Sequence, residues 1–179
     1  MIYIAFLRGI NVGGKNLLPM KEFVAVLEGL GCQNVSTYVQ SGNAVFESRE
    51  TIASRLSEMV SAEIKKRRGI EPRILLLKPE DIERAIRENP FPEAGTVPKS
   101  LHIGFLDTSP PAPDLQMLES IKSDSERYRL IDKRFYLHAP EGVGRSRLAA
   151  NAEKLLGVSM TDRNWNTVQK VWEMAKKLT

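Results

Sequence analysis

Reactive and metal-binding side chains are scarce in this 179-residue chain, which has one cysteine, Cys32, and two histidines, His102 and His138. A single thiol excludes an intrachain disulfide, and one thiol with two imidazoles falls short of the usual zinc ligand set. The chain is therefore expected to fold without staples, with no metal site and no cofactor, in a reducing cytoplasm. Long hydrophobic runs are also missing. The opening apolar stretch, Ile2–Leu7, has no basic leader before it and is far short of the roughly 20 residues that span a bilayer. Neither a signal peptide, nor a transmembrane helix, nor a membrane partner is expected. Charge is not concentrated in either half, because the net +4 is shared equally by residues 1–90 and 91–179. The densest basic run, Lys65–Arg68, closes a predicted helix, where cations complement the negative end of the dipole.

What is present is an ordinary globular composition, 42% hydrophobic and 27% charged, patterned twice in the same way. Residues 2–7 read as a buried strand, followed by a glycine-rich loop over 9–16. Pro19 opens a helix carrying Met20, Phe23, Val24, Leu27 and Leu30 at helical spacing, and Gly31 stops it. Asn34–Tyr38 and Ala44–Phe46 form a hairpin around Gln40-Ser41-Gly42-Asn43. A helix over 51–68 and a strand over 74–77 complete β-α-β-β-α-β, the ferredoxin-like or split-βαβ unit. After a short helix near 81–87, the proline-rich stretch 89–98 marks a boundary and the pattern restarts. Leu101–Leu106 is a strand, a helix carries Leu115, Leu118 and Ile121, a hairpin turns at Asp132-Lys133, and 146–156 is a helix. No closing strand is evident in this second half. A terminal helix over 163–178, with Trp165, Val168, Trp172 and Ala175 in a stripe, is expected in its place and should pack across the halves. The expected fold class is α+β: two tandem ferredoxin-like halves, 1–90 and 91–179, with antiparallel sheets, acting as one compact unit.

Four segments carry candidate chemistry. Arg8-Gly9-Ile10-Asn11-Val12-Gly13-Gly14-Lys15-Asn16 joins a strand to a helix, with glycines able to turn N–H groups toward an anion and a cation at each end. Gly9 to Lys15 fits G-x-x-x-x-G-K, the body of a phosphate-binding loop. However, Asn16 stands where Ser or Thr should hold magnesium, and the helix begins at Pro19 rather than directly after the lysine. The hairpin order is also not the alternating layout of P-loop enzymes. The second segment is Tyr38–Asn43, where Gly42 suits a positive φ and Ser41 and Asn43 suit local backbone bonds; the long amide of Gln40 is not required by a turn. The third, Gly142-Val143-Gly144-Arg145-Ser146-Arg147, precedes a helix that Ser146 can cap, and two arginines there also suit an anion. The fourth, Thr161–Thr167, holds Arg163 and Asn164 at the predicted start of the last helix, capped by Thr161 or Asp162. Arginine is unfavourable at that positive end unless an anion answers it.

Conventional catalytic sets do not appear. There is no metalloprotease motif and no Gly-x-Ser-x-Gly elbow, Cys32 reads as a packed residue after a helix end, and His138 as a part-buried strand residue. No nucleophile is identified, so the catalytic residues are unknown and enzymatic activity is left open. RNA binding is the alternative reading, because Ile2-Tyr3-Ile4-Ala5-Phe6-Leu7 resembles the first-strand motif of an RNA recognition motif with Tyr3 as a stacking ring. Residues 41–48, SGNAVFES, lack the matching aromatic and basic pattern.

Four runs, Ala5–Gly14, Tyr38–Asn43, Gly144-Arg145-Ser146 and Arg163–Thr167, make the chain resemble the bacterial domain-of-unknown-function family 1697 along its whole length. The resemblance implies the same two-part α+β architecture and a cytoplasmic bacterial protein, and brings no activity with it; Asp162 departs from the small or hydroxyl residue expected there. The expected function is binding of one small polar or anionic ligand. Its site would be lined by Arg8, Asn11, Gly13, Gly14, Lys15, Gln40, Ser41 and Asn43, with Arg145, Ser146, Arg163 and Asn164. The chain would act as a monomer or as a homodimer joined through a sheet edge.

Overall fold

The computed structural model describes Met1–Thr179. The fold is mixed α+β, with two four-stranded antiparallel sheets and six α-helices. Two compact units are formed, Met1–Arg84 together with Gln169–Thr179, and Ala85–Val168.

In the first unit, β1 (Ile2–Arg8), α1 (Met20–Gly29), β2 (Gln33–Tyr38), β3 (Asn43–Glu47), α2 (Ala53–Arg68) and β4 (Arg73–Leu77) follow in order, and the sheet runs β2-β3-β1-β4. The alternation of β1 decides how it sits. Tyr3, Ala5 and Leu7 join Ala44 and Phe46 of β3 against Phe23, Val26 and Leu27 of α1 and Leu56, Val60 and Ile64 of α2. Each such large side chain contributes roughly 1.5–3 kcal/mol when taken from water. Both helices stop at a positive-φ glycine just beyond their ends, Gly31 and Gly69. The run Lys65–Arg68 forms the last turn of α2, and Arg68 pairs with Glu22 of α1.

Helix α3 (Pro79–Arg87) leads on, and the second unit holds β5 (Leu101–Leu106), α4 (Leu115–Ile121), β6 (Arg127–Ile131), β7 (Arg134–His138), α5 (Arg147–Leu156) and β8 (Met160–Asn164). Its sheet runs β6-β7-β5-β8. Leu106, Phe135 and Leu137 of the sheet pack with Leu118 of α4 and Leu148, Ala152 and Leu156 of α5.

The closing strand not evident in the sequence is β8, paired antiparallel to β5 from Leu106↔Met160 to His102↔Asn164. The final helix, α6 (Trp165–Lys176), starts at the first residue of its apolar stripe and not at the expected Arg163, which lies in β8. Met-Thr-Asp-Arg-Asn carries one apolar residue, and it escapes recognition because an edge strand needs only one paired side and tolerates polar side chains. The cap of α6 is likewise neither Thr161 nor Asp162. Asn164 Oδ1 accepts the Thr167 N–H at 2.9 Å.

Candidate functional site

The glycine-rich segment is a miniature hairpin rather than an open phosphate-binding loop. Lys15 N–H donates to Val12 O at 3.0 Å and Asn11 N–H to Asn16 O at 3.2 Å, with Gly13 and Gly14 both at positive φ, 56° and 74°. Two consecutive left-handed residues define a type I′ turn, in which glycine carries no steric cost. The lysine N–H that a phosphate cradle would use is thus spent inside the turn. Two asparagines, also left-handed at φ 53° and 51°, hold the hairpin. Asn16 Nδ2 donates to Gly9 O at 2.8 Å. Asn11 Nδ2 donates to Leu18 O at 2.9 Å and Gln40 O at 2.7 Å, while its Oδ1 accepts Leu18 N–H at 2.8 Å.

That contact to Gln40 brings the first two candidate segments together, but through the backbone. The Gln40 side chain is exposed, and so is Ser41. Asn43 is fully buried, and its amide donates to Tyr38 O at 3.0 Å and Ser41 Oγ at 2.9 Å, which is the local turn role the sequence suggests. Val39 is the unusual residue. Among the non-glycine residues at positive φ it is the only one that is neither Asn nor Asp, and a β-branched side chain there is a steric outlier costing roughly 1–2 kcal/mol. Half of its surface is exposed, so little packing is lost on replacement. Val39→Asn should raise the chain's unfolding free energy by about 1 kcal/mol, measured by urea titration; an unchanged or lower midpoint would mean that the valine side chain has a structural task.

At the foot of the hairpin, Arg8, Gly9, Ile10 and Asn16 line a pocket of about 230 Å³ with Ile70, Glu71, Pro72 and Arg73. Arg8 and Arg73 stand directly opposite each other in the β1–β4 ladder, a position in which like charges repel. The pocket's one carboxylate, Glu71, is held by Lys65 Nζ at 2.7 Å. Arg73, Ile70, Glu71 and Lys65 were not anticipated from the sequence, since only the pairing register brings β4 against Arg8.

In the second unit, the segment 142–147 builds a different environment. Arg145 and Arg147 line a pocket of about 140 Å³ whose lining also includes Glu126 and Glu141. Ser146 caps α5, its Oγ accepting Ala149 N–H at 2.9 Å. Arg163 Nη1 donates to Asp162 O at 2.8 Å; removal from water pulls its guanidinium down to about 10, against the charge of Asp162.

The two histidines titrate in opposite directions. Burial alone would lower His102, but the hydrogen bond and charge of Asp162, whose Oδ2 lies 2.6 Å from Nδ1, together with a bond to the Lys99 backbone, outweigh it and raise the value. His102 is thus tied to Asp162 across the β5–β8 pair. His138 is lowered, first by burial and then by the Arg127 charge, and its Nδ1 takes a hydrogen bond from Arg127 at 3.1 Å. The raised His102 adds stability that is complete below the ordinary value of 6.5 and fades as pH climbs through its folded value; the lowered His138 adds stability above 6.5 that fades as pH falls. Proton NMR of the imidazole C–H signals should show two titrations on either side of 6.5, and coincident curves would contradict these environments.

The fully buried Tyr3, whose hydroxyl donates to Glu50 O at 3.1 Å, corrects its reading as a base-stacking ring: β1 turns it toward the helices. No helix is long and apolar enough to cross a membrane.

The family model of a protein of unknown function, DUF1697, matches residues 1–136. The chain belongs to this family. The match includes the glycine hairpin and the Tyr38–Asn43 turn of this DUF1697 protein, and ends before the Gly142–Arg147 segment and β8. Among solved structures, the chain is similar to the conserved bacterial protein SP0830 from Streptococcus pneumoniae, at 25% sequence identity and a TM-score of 0.72, covering 97% of this chain and 98% of that one. The likeness therefore extends past residue 136 into the second sheet. No curated protein matches the chain.

Proposed function

We propose that this DUF1697 protein binds a small anionic ligand in the pocket at the foot of the glycine hairpin, with Arg8 and Arg73 as the charged groups and Asn16 and Gly9 at the rim. The observation that supports this reading best is the placement of two arginines opposite each other across one ladder, on a single pocket of about 230 Å³. An anion between them would accept two charge-assisted contacts. Asn11, Gly13, Gly14 and Lys15 then act by building and rigidifying the hairpin above the pocket. The matching strand orders and the shared β-α-β-β-α-β succession support the further reading that the two units are tandem ferredoxin-like halves.

Thermal unfolding in inorganic phosphate, against chloride at matched ionic strength, tests the proposal. Ligand at a hundred times its Kd raises stability by about 2.7 kcal/mol, so the midpoint should climb and saturate. Arg8→Gln and Arg73→Gln should each abolish the phosphate-specific part. A rise that persists in both variants would place the anion elsewhere. The nucleic-acid alternative instead predicts retention on heparin that weakens steeply with salt.

A further inference from the structure

The second unit contains a cavity that none of the anion chemistry uses. It lies between the sheet face formed by Phe135, Leu137 and Met160 and the segment from Val143 to Ala152 that leads into and along α5, and its volume is about 270 Å³. An apolar cavity of roughly 150 Å³ is enough to hold benzene. The side chains that line it are apolar apart from Ser146 and Asp162. Those two polar groups are fixed in complementary roles. Asp162 has Oδ2 held at 2.6 Å by His102, whose side chain is 11% exposed against 46% for Asp162. Its second oxygen is an acceptor. Ser146, itself 8% exposed, uses its oxygen to cap Ala149 N–H, which leaves its hydroxyl hydrogen as a donor. The cavity therefore combines apolar side chains with one acceptor and one donor.

We propose that this cavity is a second ligand site, taking a small uncharged aromatic or branched aliphatic molecule with a hydroxyl group. The ring or alkyl group fills the space against Phe135, Leu137 and Met160. The hydroxyl donates to Asp162 and accepts from Ser146. A carboxylate-bearing analogue is repelled by Asp162, and a purely hydrocarbon one leaves both polar groups without the exchange that a hydroxyl supplies.

The glycines provide a clean test. A Cβ at Gly144 meets nothing within 4 Å, so Gly144→Leu adds bulk at the wall of the cavity without a clash, whereas a Cβ at Gly104 would lie 2.2 Å from Met160 Sδ. Met160 is thus seated on Gly104 and its methyl reports on the cavity. With methyl-labelled methionine in the full chain, 4-methylphenol should shift the Met160 methyl resonance, assigned with Met160→Leu, in a saturable way. Toluene should bind about tenfold more weakly, the loss expected for one net hydrogen bond to a charged group, and 4-methylbenzoate should give no saturable shift. Gly144→Leu should remove the 4-methylphenol response while the unfolding midpoint stays within a degree or so, as is usual for a surface change that introduces no clash. Absence of a saturable shift with 4-methylphenol would overturn the site. Equal affinity for toluene would overturn the pairing of the hydroxyl with Asp162 and Ser146, and a response that survives Gly144→Leu would place the probe elsewhere.

Discussion

Gly42→Ala is expected to destabilise the protein by about 3 kcal/mol, which for a chain of this size lowers the unfolding midpoint by roughly 9 °C. Gly42 sits at φ 76° in the turn between β2 and β3, where an L side chain is strained by roughly 1–2 kcal/mol. A second cost is steric. The new Cβ would lie 2.6 Å from Leu7 Cβ and 2.8 Å from Ile10 Cδ1, and the first of these belongs to a side chain fixed in the central strand. Relief requires the turn to lift away from β1, which also loosens the bond from Leu7 N–H to Gly42 O at 2.8 Å. The position is a joint between the Tyr38–Asn43 turn and the start of the glycine hairpin, since Leu7 and Ile10 flank Arg8. Phosphate binding should fall together with stability. Calorimetry of Gly42→Ala beside wild type decides the matter, and a midpoint within 2 °C of wild type would mean that the turn moves freely and does not position Arg8.

Asn11→Ala is expected to cost about 2 kcal/mol, and Asn11→Asp at least as much. The alanine loses all three side-chain bonds, to Leu18 O, Leu18 N and Gln40 O, and leaves partly exposed backbone groups for water to satisfy. The aspartate keeps the bond from Leu18 N–H but directs a carboxylate oxygen at two carbonyls, so an isosteric change becomes a repulsive one. Left-handed backbone at φ 53° adds to the cost of alanine, because asparagine tolerates that region better. Urea titrations should therefore rank wild type above Asn11→Ala and Asn11→Ala level with or above Asn11→Asp. A neutral Asn11→Asp would show that the amide nitrogen makes no net contribution, and the hairpin would then owe its shape to its glycines alone.

Most of the fold was readable because every sheet strand except β8 carries its own local signal. The apolar run of residues 2–7, Gly31 after α1 and the Ser146 cap all mean in the structure what they mean in the sequence. The failures share a cause. β8 was missed because an edge strand of Met-Thr-Asp-Arg-Asn has no apolar alternation, and α6 was started too early because Asn164 looked like a first-turn residue rather than a cap. The same blindness hid Arg73 and Asp162. Their partners, Arg8 and His102, are separated from them by 65 and 60 residues, and only strand register places them side by side. Within the candidate site, the glycine segment reads in the sequence as a source of N–H groups for an anion, whereas the Asn11 and Lys15 N–H groups are bonded inside the hairpin. The anion site proposed above therefore rests on the arginine side chains below the hairpin.

The most direct examination of the anion site is an amide NMR titration of the uniformly labelled protein with inorganic phosphate at constant ionic strength. The expected result is a saturable shift confined to amides from Arg8 to Asn16 and from Ile70 to Arg73. Shifts centred instead on Gly142–Arg147, or no saturable shift anywhere, would contradict the placement of the ligand between Arg8 and Arg73.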